Sequence, residues 1–206
     1  MEQRTDDWFT ARLGKVTASR ISDVVAMTKS GVSASRGNYM AQLIVERMTN
    51  KPTESYSNSA MQWGTDTEPL ARAAYEMATY TMVEEVGFVQ HPDDEMCGAS
   101  PDGLVGEDGL IEIKCPNTAT HIETLITGEI DNKYILQMQW QMACTGRQWC
   151  DFVSFDPRMP ESLQLKIIRV DRLQSLIGNL EAHVKKFLDE TQEKVNFLNN
   201  LKVKNG

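Results

Sequence analysis

Two short stretches hold the residues whose types and spacing could do chemistry: Ser100-Pro101-Asp102-Gly103 and, after a turn, Ile111-Glu112-Ile113-Lys114-Cys115-Pro116. Side chains alternate along a strand, so Glu112 and Lys114 share one face there, and Ile111, Ile113 and Cys115 share the other. The apolar face can be buried while the charged face forms a site. If the two stretches are neighbours in a hairpin, Asp102 stands beside Glu112, and two such carboxylates repel unless a cation lies between them. Hard oxygen ligands around a site with open positions suit Mg²⁺ or Mn²⁺. Taken singly, each residue has a plainer and commoner reading: Asp102-Gly103 as a turn, Glu112 and Lys114 as a solvated strand face. A calcium loop over residues 102–112 is excluded, because the alternate oxygen ligands and the glycine at its sixth position are missing.

The surrounding pattern must position these stretches. Asp6-Asp7 ahead of Trp8, Leu13 and Val16 reads as a capped short helix, and Thr17-Ala18-Ser19 opens a second one bearing Ile21, Val24 and Val25. Residues 28–37 are small and aperiodic, a mobile loop. A helix with Tyr39, Leu43, Ile44 and Met48 on its stripe follows and stops at Lys51-Pro52, and another spans about 66–78. Strand patterns occupy 82–90, 96–100 and 110–115, with Gly103 and Gly109 punctuating the connection between the last two. Helices are expected at 118–127 and 134–145, and strands at 149–155 and 163–170. This order indicates an α/β fold in which helices flank a central mixed β-sheet. The tail is an amphipathic helix with Leu173, Leu176, Ile177, Leu180, Val184, Phe187 and Leu188 on one stripe, wide enough to pack on the domain.

Composition narrows the function classes. With 206 residues and 41% hydrophobic content, the chain suits a single domain over 1–206, its core at about 8–170 and its C-terminal amphipathic helix at about 171–200. No apolar run approaches the ~18 residues of a membrane span, and the opening residues lack a signal peptide's basic and apolar parts, so a cytoplasmic protein is expected. The four cysteines form no CxxC pair and sit at no zinc spacing, which favours buried free thiols. A net charge of -8 argues against a protein that coats nucleic acid by bulk electrostatics, though not against a local basic channel.

Pro101-Asp102, nine intervening residues and Glu112-Ile113-Lys114 resemble the PD-(D/E)xK signature of a nuclease superfamily. Further motifs sharpen the likeness: Trp8, Arg12-Leu13-Gly14, Thr17-Ala18-Ser19, Trp63-Gly64 with Glu68, residues 97–104, Tyr134 with Gln137 and Gln139, and Asp156-Pro157-Arg158-Met159. In that order, over about residues 8–170, the chain resembles the bacteriophage lambda exonuclease family of viral recombination nucleases. Residues 28–37 and the C-terminal helix do not match closely.

The resemblance implies a restriction-endonuclease-like nuclease core in which Asp102, Glu112 and the main-chain oxygen of Ile113 hold two Mg²⁺ ions, with Mn²⁺ able to substitute. It implies that Lys114 orients or activates the attacking water, with Glu68 and Gln137 beside the metals. Arg12, Ser19 and Ser100 match a pocket for the 5′-phosphate of a DNA end, against a plainer alternative in which Arg12 pairs with an acidic neighbour and Ser19 is a cap. Trp8, Lys29 and Arg36 are candidate DNA contacts, the last two as flexible cations of the 28–37 loop. The activity implied is processive 5′→3′ digestion of one strand of duplex DNA to 5′-mononucleotides, by a homotrimeric ring that works with a phage single-strand annealing protein inside a bacterial host. Threading duplex through a ring would allow an acidic exterior. An endonuclease of the same superfamily and a non-catalytic DNA-end-binding module are the competing readings. None of His91, His121 and His183 falls in a matched motif, and each reads as a surface or turn residue.

Overall fold

The computed structural model describes residues 2–29, 31–53 and 58–205. Thr5 caps α1 (Asp6–Arg12) by accepting the Trp8 N–H, and Asp6 and Asp7 lie in the first turn, where carboxylates complement the helix dipole. The chain then forms β1 (Val16–Thr17), a three-residue 3₁₀ turn (Ala18–Arg20) and α2 (Ile21–Val24). Thr17 makes no side-chain cap, and the expected second helix is one 3₁₀ turn followed by a single α-helical turn. Residues 28–37 depart from the expected loop. They contribute to a small hairpin, β2 (Met27–Thr28) with β3 (Gly31–Val32), and then enter α3 (Ala34–Thr49), capped by Ser33. Ser30 lies outside the described residues.

Helix α4 (Ser59–Thr79) begins a full two turns before the expected start, because Asn58 caps the Met61 N–H. Gly64, a poor helix former, hid those early turns from the sequence pattern. The expected strand over 82–90 divides at Gly87 into β4 (Val83–Glu84) and β5 (Val89–His91), which join different sheets. There follow β6 (Asp94–Ala99), β7 (Gly103–Val105), β8 (Gly109–Lys114), α5 (Thr118–Thr127), α6 (Asn132–Thr145), β9 (Trp149–Phe155), β10 (Leu165–Asp171) and α7 (Gln174–Asn205). Strand β7 was hidden inside what reads as a connection. Gly103 belongs there because any side chain would strike Val83 of β4.

The larger sheet has the order β10-β9-β8-β7-β4, with β8 and β9 parallel and the other pairs antiparallel. Helices α5 and α6 make the crossover that a parallel pair requires. A second sheet, β1-β6-β5, pairs Val16 and Thr17 with Cys97 and Gly98 in parallel. The alternation along β8 divides the core. Ile111 and Ile113 pack with Ala71 and Tyr75 of α4, and Leu110 faces the cluster built from α2, α3, α6 and α7. Each such buried aliphatic side chain contributes about 1.5–3 kcal/mol, which fixes β8 in register from both sides. The tail helix buries Ile177, Leu180, Val184 and Phe187, as its stripe predicts.

Two histidines correct the expectation. His121 is wholly buried between Ser154 Oγ (2.7 Å) and the Leu163 carbonyl (2.9 Å), and His91 is buried in a stack on Trp140. His183 is exposed. All four cysteines are free thiols. No described helix is long and apolar enough to cross a membrane.

Candidate active site

The register of the β7–β8 hairpin, with Gly103 opposite Ile111, sets Asp102 beside Glu112. Asp102 Oδ2 accepts the Ile113 N–H at 2.7 Å, which pins the carboxylate across the hairpin. Glu112 lies on the same face of β8 as Leu110 and is completely buried under α6, not on a solvated face. Its Oε1 accepts from Gln137 Nε2 (2.7 Å) and from Lys114 Nζ, and its Oε2 accepts from Gln141 Nε2 (2.6 Å). Buried charge is tolerated when it is paired and hydrogen-bonded in this way.

Burial first, and then the Glu112 charge, push the Asp102 carboxyl well above its usual range. For Lys114, burial opposes the ammonium, but Glu112 and Asp102 outweigh it and hold the amine above the ordinary lysine range. Lys114 is therefore a fixed cation at neutral pH. A cavity of about 490 Å³ opens over these groups, lined by Arg4, Glu68, Asp102, Ile113, Lys114 and Tyr134 among others. Cys115 also lines it, yet burial and the nearby Glu68 and Asp102 push its thiol up to about 12, so it is no nucleophile.

Asp102, which lines the cavity, and Glu112, buried behind it, fit a hard divalent cation in part. Asp102 and Glu112 are a buried carboxylate pair with one lysine between them, and their repulsion is what a cation relieves. Glu68 stands in the middle of α4, not at its N-terminus, and it is turned to Arg4 Nη2 (2.6 Å) and Arg72 Nη2 (3.0 Å). Among the described residues no trio of ligating side chains is gathered at metal distance as they stand. Asp102 and Glu112 could thus hold a metal once Lys114 and the glutamines make room at Glu112, and Glu68 only after leaving its arginines.

The residues read as a phosphate pocket are brought together except one. Ser100 Oγ accepts from Arg12 Nη1 and Trp8 Nε1, each at 3.0 Å, and the Arg12 guanidinium lies 3.9 Å from the centroid of the Trp8 ring. Burial lowers Arg12 to about 10, so it stays charged at neutral pH, and no ion pair holds it among the described residues. Ser19 is exposed in the 3₁₀ turn, 3.5 Å from Thr17 Oγ1, and no bond joins it to Arg12 or Ser100. Lys29 is exposed at the tip of the β2–β3 hairpin. Arg36 is not a flexible loop cation. It sits in the first turn of α3, nearly buried, bonded to the Val24 carbonyl (3.1 Å) and Glu190 (2.8 Å) over the Phe187 ring. Gln139, quoted beside Gln137 in the sequence, instead ties α6 to the Asp171 carbonyl and the Leu173 N–H.

Gln141, Arg4 and Arg72 escaped the sequence reading. For Gln141 a signal existed, since it follows Gln137 by four residues on one helix face.

Residues 7–148 match the family described as YqaJ-like viral recombinase domain. The chain belongs to the YqaJ-like viral recombinase family. The likeness to the lambda exonuclease family holds accordingly, and the match covers every residue just described from Trp8 to Gln141. The alkaline exonuclease LHK-Exo from Laribacter hongkongensis is 53% identical, with 98% of this chain and 100% of that one aligned at a TM-score of 0.91. Its structure in complex with dAMP aligns at 54% identity and a TM-score of 0.92, with the same coverage. A phage-related exonuclease from Haemophilus somnus 129PT shares the fold at 14% identity, with a TM-score of 0.71 over 89% of this chain and 96% of its own. No curated protein matches the sequence. The fold is thus the mixed α/β fold that the order of elements indicated, and the nuclease fold that the resemblance implied.

Proposed function

We propose that this chain is a Mg²⁺-dependent exonuclease that enters duplex DNA at an end and digests one strand 5′→3′ to 5′-mononucleotides, leaving a 3′ single strand for recombination by annealing. The coarser reading, a DNA exonuclease of recombination, is supported by the family and by the high identity to LHK-Exo. The observation that carries the finer reading is the link Ser100-Pro101-Asp102. It joins an arginine-serine pair suited to a phosphate to the carboxylate pair suited to a metal, two residues apart. That relative's complex with dAMP supports a nucleotide product.

Asp102, Glu112 and the Ile113 main-chain oxygen would hold the ions. Bound there, the metal would supply positive charge to the oxygens of a phosphodiester under attack. Lys114, charged and fixed by Glu112, offers positive charge to the nucleophile and the phosphate oxygens. Gln137 and Gln141 hold Glu112 in one orientation from α6. Gln141→Leu should accordingly raise the Mg²⁺ concentration needed for half-maximal cleavage by roughly 10–100-fold, with the rate recovering at saturating metal. An unchanged metal titration would remove Gln141 from this role.

Arg12, desolvated and stacked on Trp8, presents a fork of donors that a lysine cannot reproduce. A linear duplex labelled at either end, with 5′-phosphate or 5′-hydroxyl termini, tests the whole reading. Wild type is expected to release label from 5′ ends only in Mg²⁺ and to spare circular duplex, whereas an endonuclease would cut the circle and an end-binding module would cut nothing. Arg12→Ala is expected to lose the preference for phosphorylated ends, roughly tenfold or more. A preference equal to that of wild type would take Arg12 out of the pocket.

The acidic chain suits a homotrimeric ring that threads duplex, working with a phage single-strand annealing protein in the cytoplasm of a bacterial host. These assignments complete the proposal, and the oligomeric state in solution checks the first of them.

A further inference from the structure

The segment ahead of α1 is fastened to the catalytic loop. Gln3 Nε2 donates to the carbonyls of Val86 and Pro101, both at 2.7 Å, and Pro101 is the residue before Asp102. Two residues later Thr5 caps α1. Between these anchors Arg4 adopts a φ of 65°, a left-handed backbone that an arginine rarely takes. A strained conformation persists only where its surroundings over-determine it, and such residues cluster where a side chain must be aimed. Here the aim is inward: Arg4 lines the catalytic cavity, with Nη2 2.6 Å from Glu68 Oε2.

Glu68 does not need this partner. Arg72, one turn further along α4 and largely buried, already meets its other oxygen at 3.0 Å. Arg72 is itself held by Glu85 at 2.6 Å and by the Asp102 carbonyl at 3.4 Å. Among the described residues Arg4 has no such locks, and it is half exposed. A second guanidinium on a satisfied carboxylate, on a strained and anchored backbone, at the mouth of an anion-handling cavity, is placed for an incoming anion. We propose that Arg4 grips a phosphate of the nucleotide strand in the catalytic cavity, and that Glu68 is only its resting partner. The inference rests on the exonuclease reading above. Bidentate guanidinium–phosphate pairing is the chemistry that such a fork supplies.

The test uses the full chain. Binding of dAMP, deoxyadenosine and inorganic phosphate is measured by calorimetry with EDTA and with Ca²⁺, for wild type, Arg4→Lys and Arg4→Gly, alongside wild-type cleavage of linear duplex. Arg4→Gly relieves the left-handed strain while removing the guanidinium, so its melting temperature should hold or rise. Its affinity for dAMP should fall roughly tenfold or more, its affinity for deoxyadenosine should not change, and Arg4→Lys should lie between. Loss of inorganic phosphate binding in parallel with dAMP would mark the phosphate alone as the ligand group, whereas loss for dAMP only would mark the nucleotide's phosphate. The comparison of dAMP with deoxyadenosine decides, whatever the melting temperature does. If wild type cuts linear duplex and Arg4→Gly binds dAMP as well as wild type does, or if wild type cuts but never binds dAMP, the Arg4 inference falls alone. If wild type does not cut linear duplex, the exonuclease reading falls and takes this inference with it.

Discussion

Asp102→Asn is expected to abolish cleavage while making the metal-free protein more stable. The carboxylate would be a direct metal ligand, so the loss should exceed the ~100-fold typical of partners one shell out. The gain in stability follows from the raised carboxyl of Asp102. An acid whose folded value lies above its unfolded value loses stability as pH rises from the unfolded value through the folded one, because the charged form is disfavoured only in the folded state. Asparagine keeps the shape and can still accept the Ile113 N–H without carrying the charge. In EDTA the melting temperature of the variant should therefore exceed that of wild type at pH 8, and the gap should shrink toward pH 4. Cleavage within tenfold of wild type would end the ligand assignment. A variant less stable than wild type at pH 8 would end the account of carboxylate repulsion.

Lys114→Met should slow cleavage ~10²- to 10³-fold, the usual effect of losing one preorganised charge. Its ammonium is held charged by Glu112 and Asp102, so its contribution is electrostatic, and added metal should not restore the rate. Single-turnover cleavage across a Mg²⁺ series separates this outcome from that of Gln141→Leu, which more metal should rescue. Full rescue of Lys114→Met by metal would reduce Lys114 to a prop for Glu112.

The sequence exposed the hairpin well, because Pro101-Asp102 and Glu112-Ile113-Lys114 lie close in the chain and strand alternation tells which side chains share a face. It misplaced Glu112 in depth. Alternation separates two faces but does not say which is covered, and here α6 covers the face that carries Glu112 and Leu110. Arg36 misled for a similar reason. Small residues around it look like loop, yet Ser33 caps a helix there, and its partner Glu190 is 154 positions away. The split of 82–90 into β4 and β5 could not be read either, since pairing with two different sheets leaves no mark on a local pattern. Arg4 was invisible because its importance lies in a backbone angle and in two bonds made by its neighbour.

The parallel pairing of β1 with β6 has a consequence for how the protein is made. Val16 must wait for Cys97, 81 positions later, before it has a strand to join. At ~5–20 residues per second of synthesis, that wait lasts on the order of 4–16 s. During it, the segment bearing Trp8 and Arg12 has emerged without the Ser100 that it binds. Glu112 in turn waits for Gln137 and Gln141. A ribosome-bound chain thus carries an arginine-bearing arm and a carboxylate hairpin that have not met their partners, and the site comes together only after α6 has been made. A nuclease built this way has no assembled site to cut with until the chain has grown past Gln141.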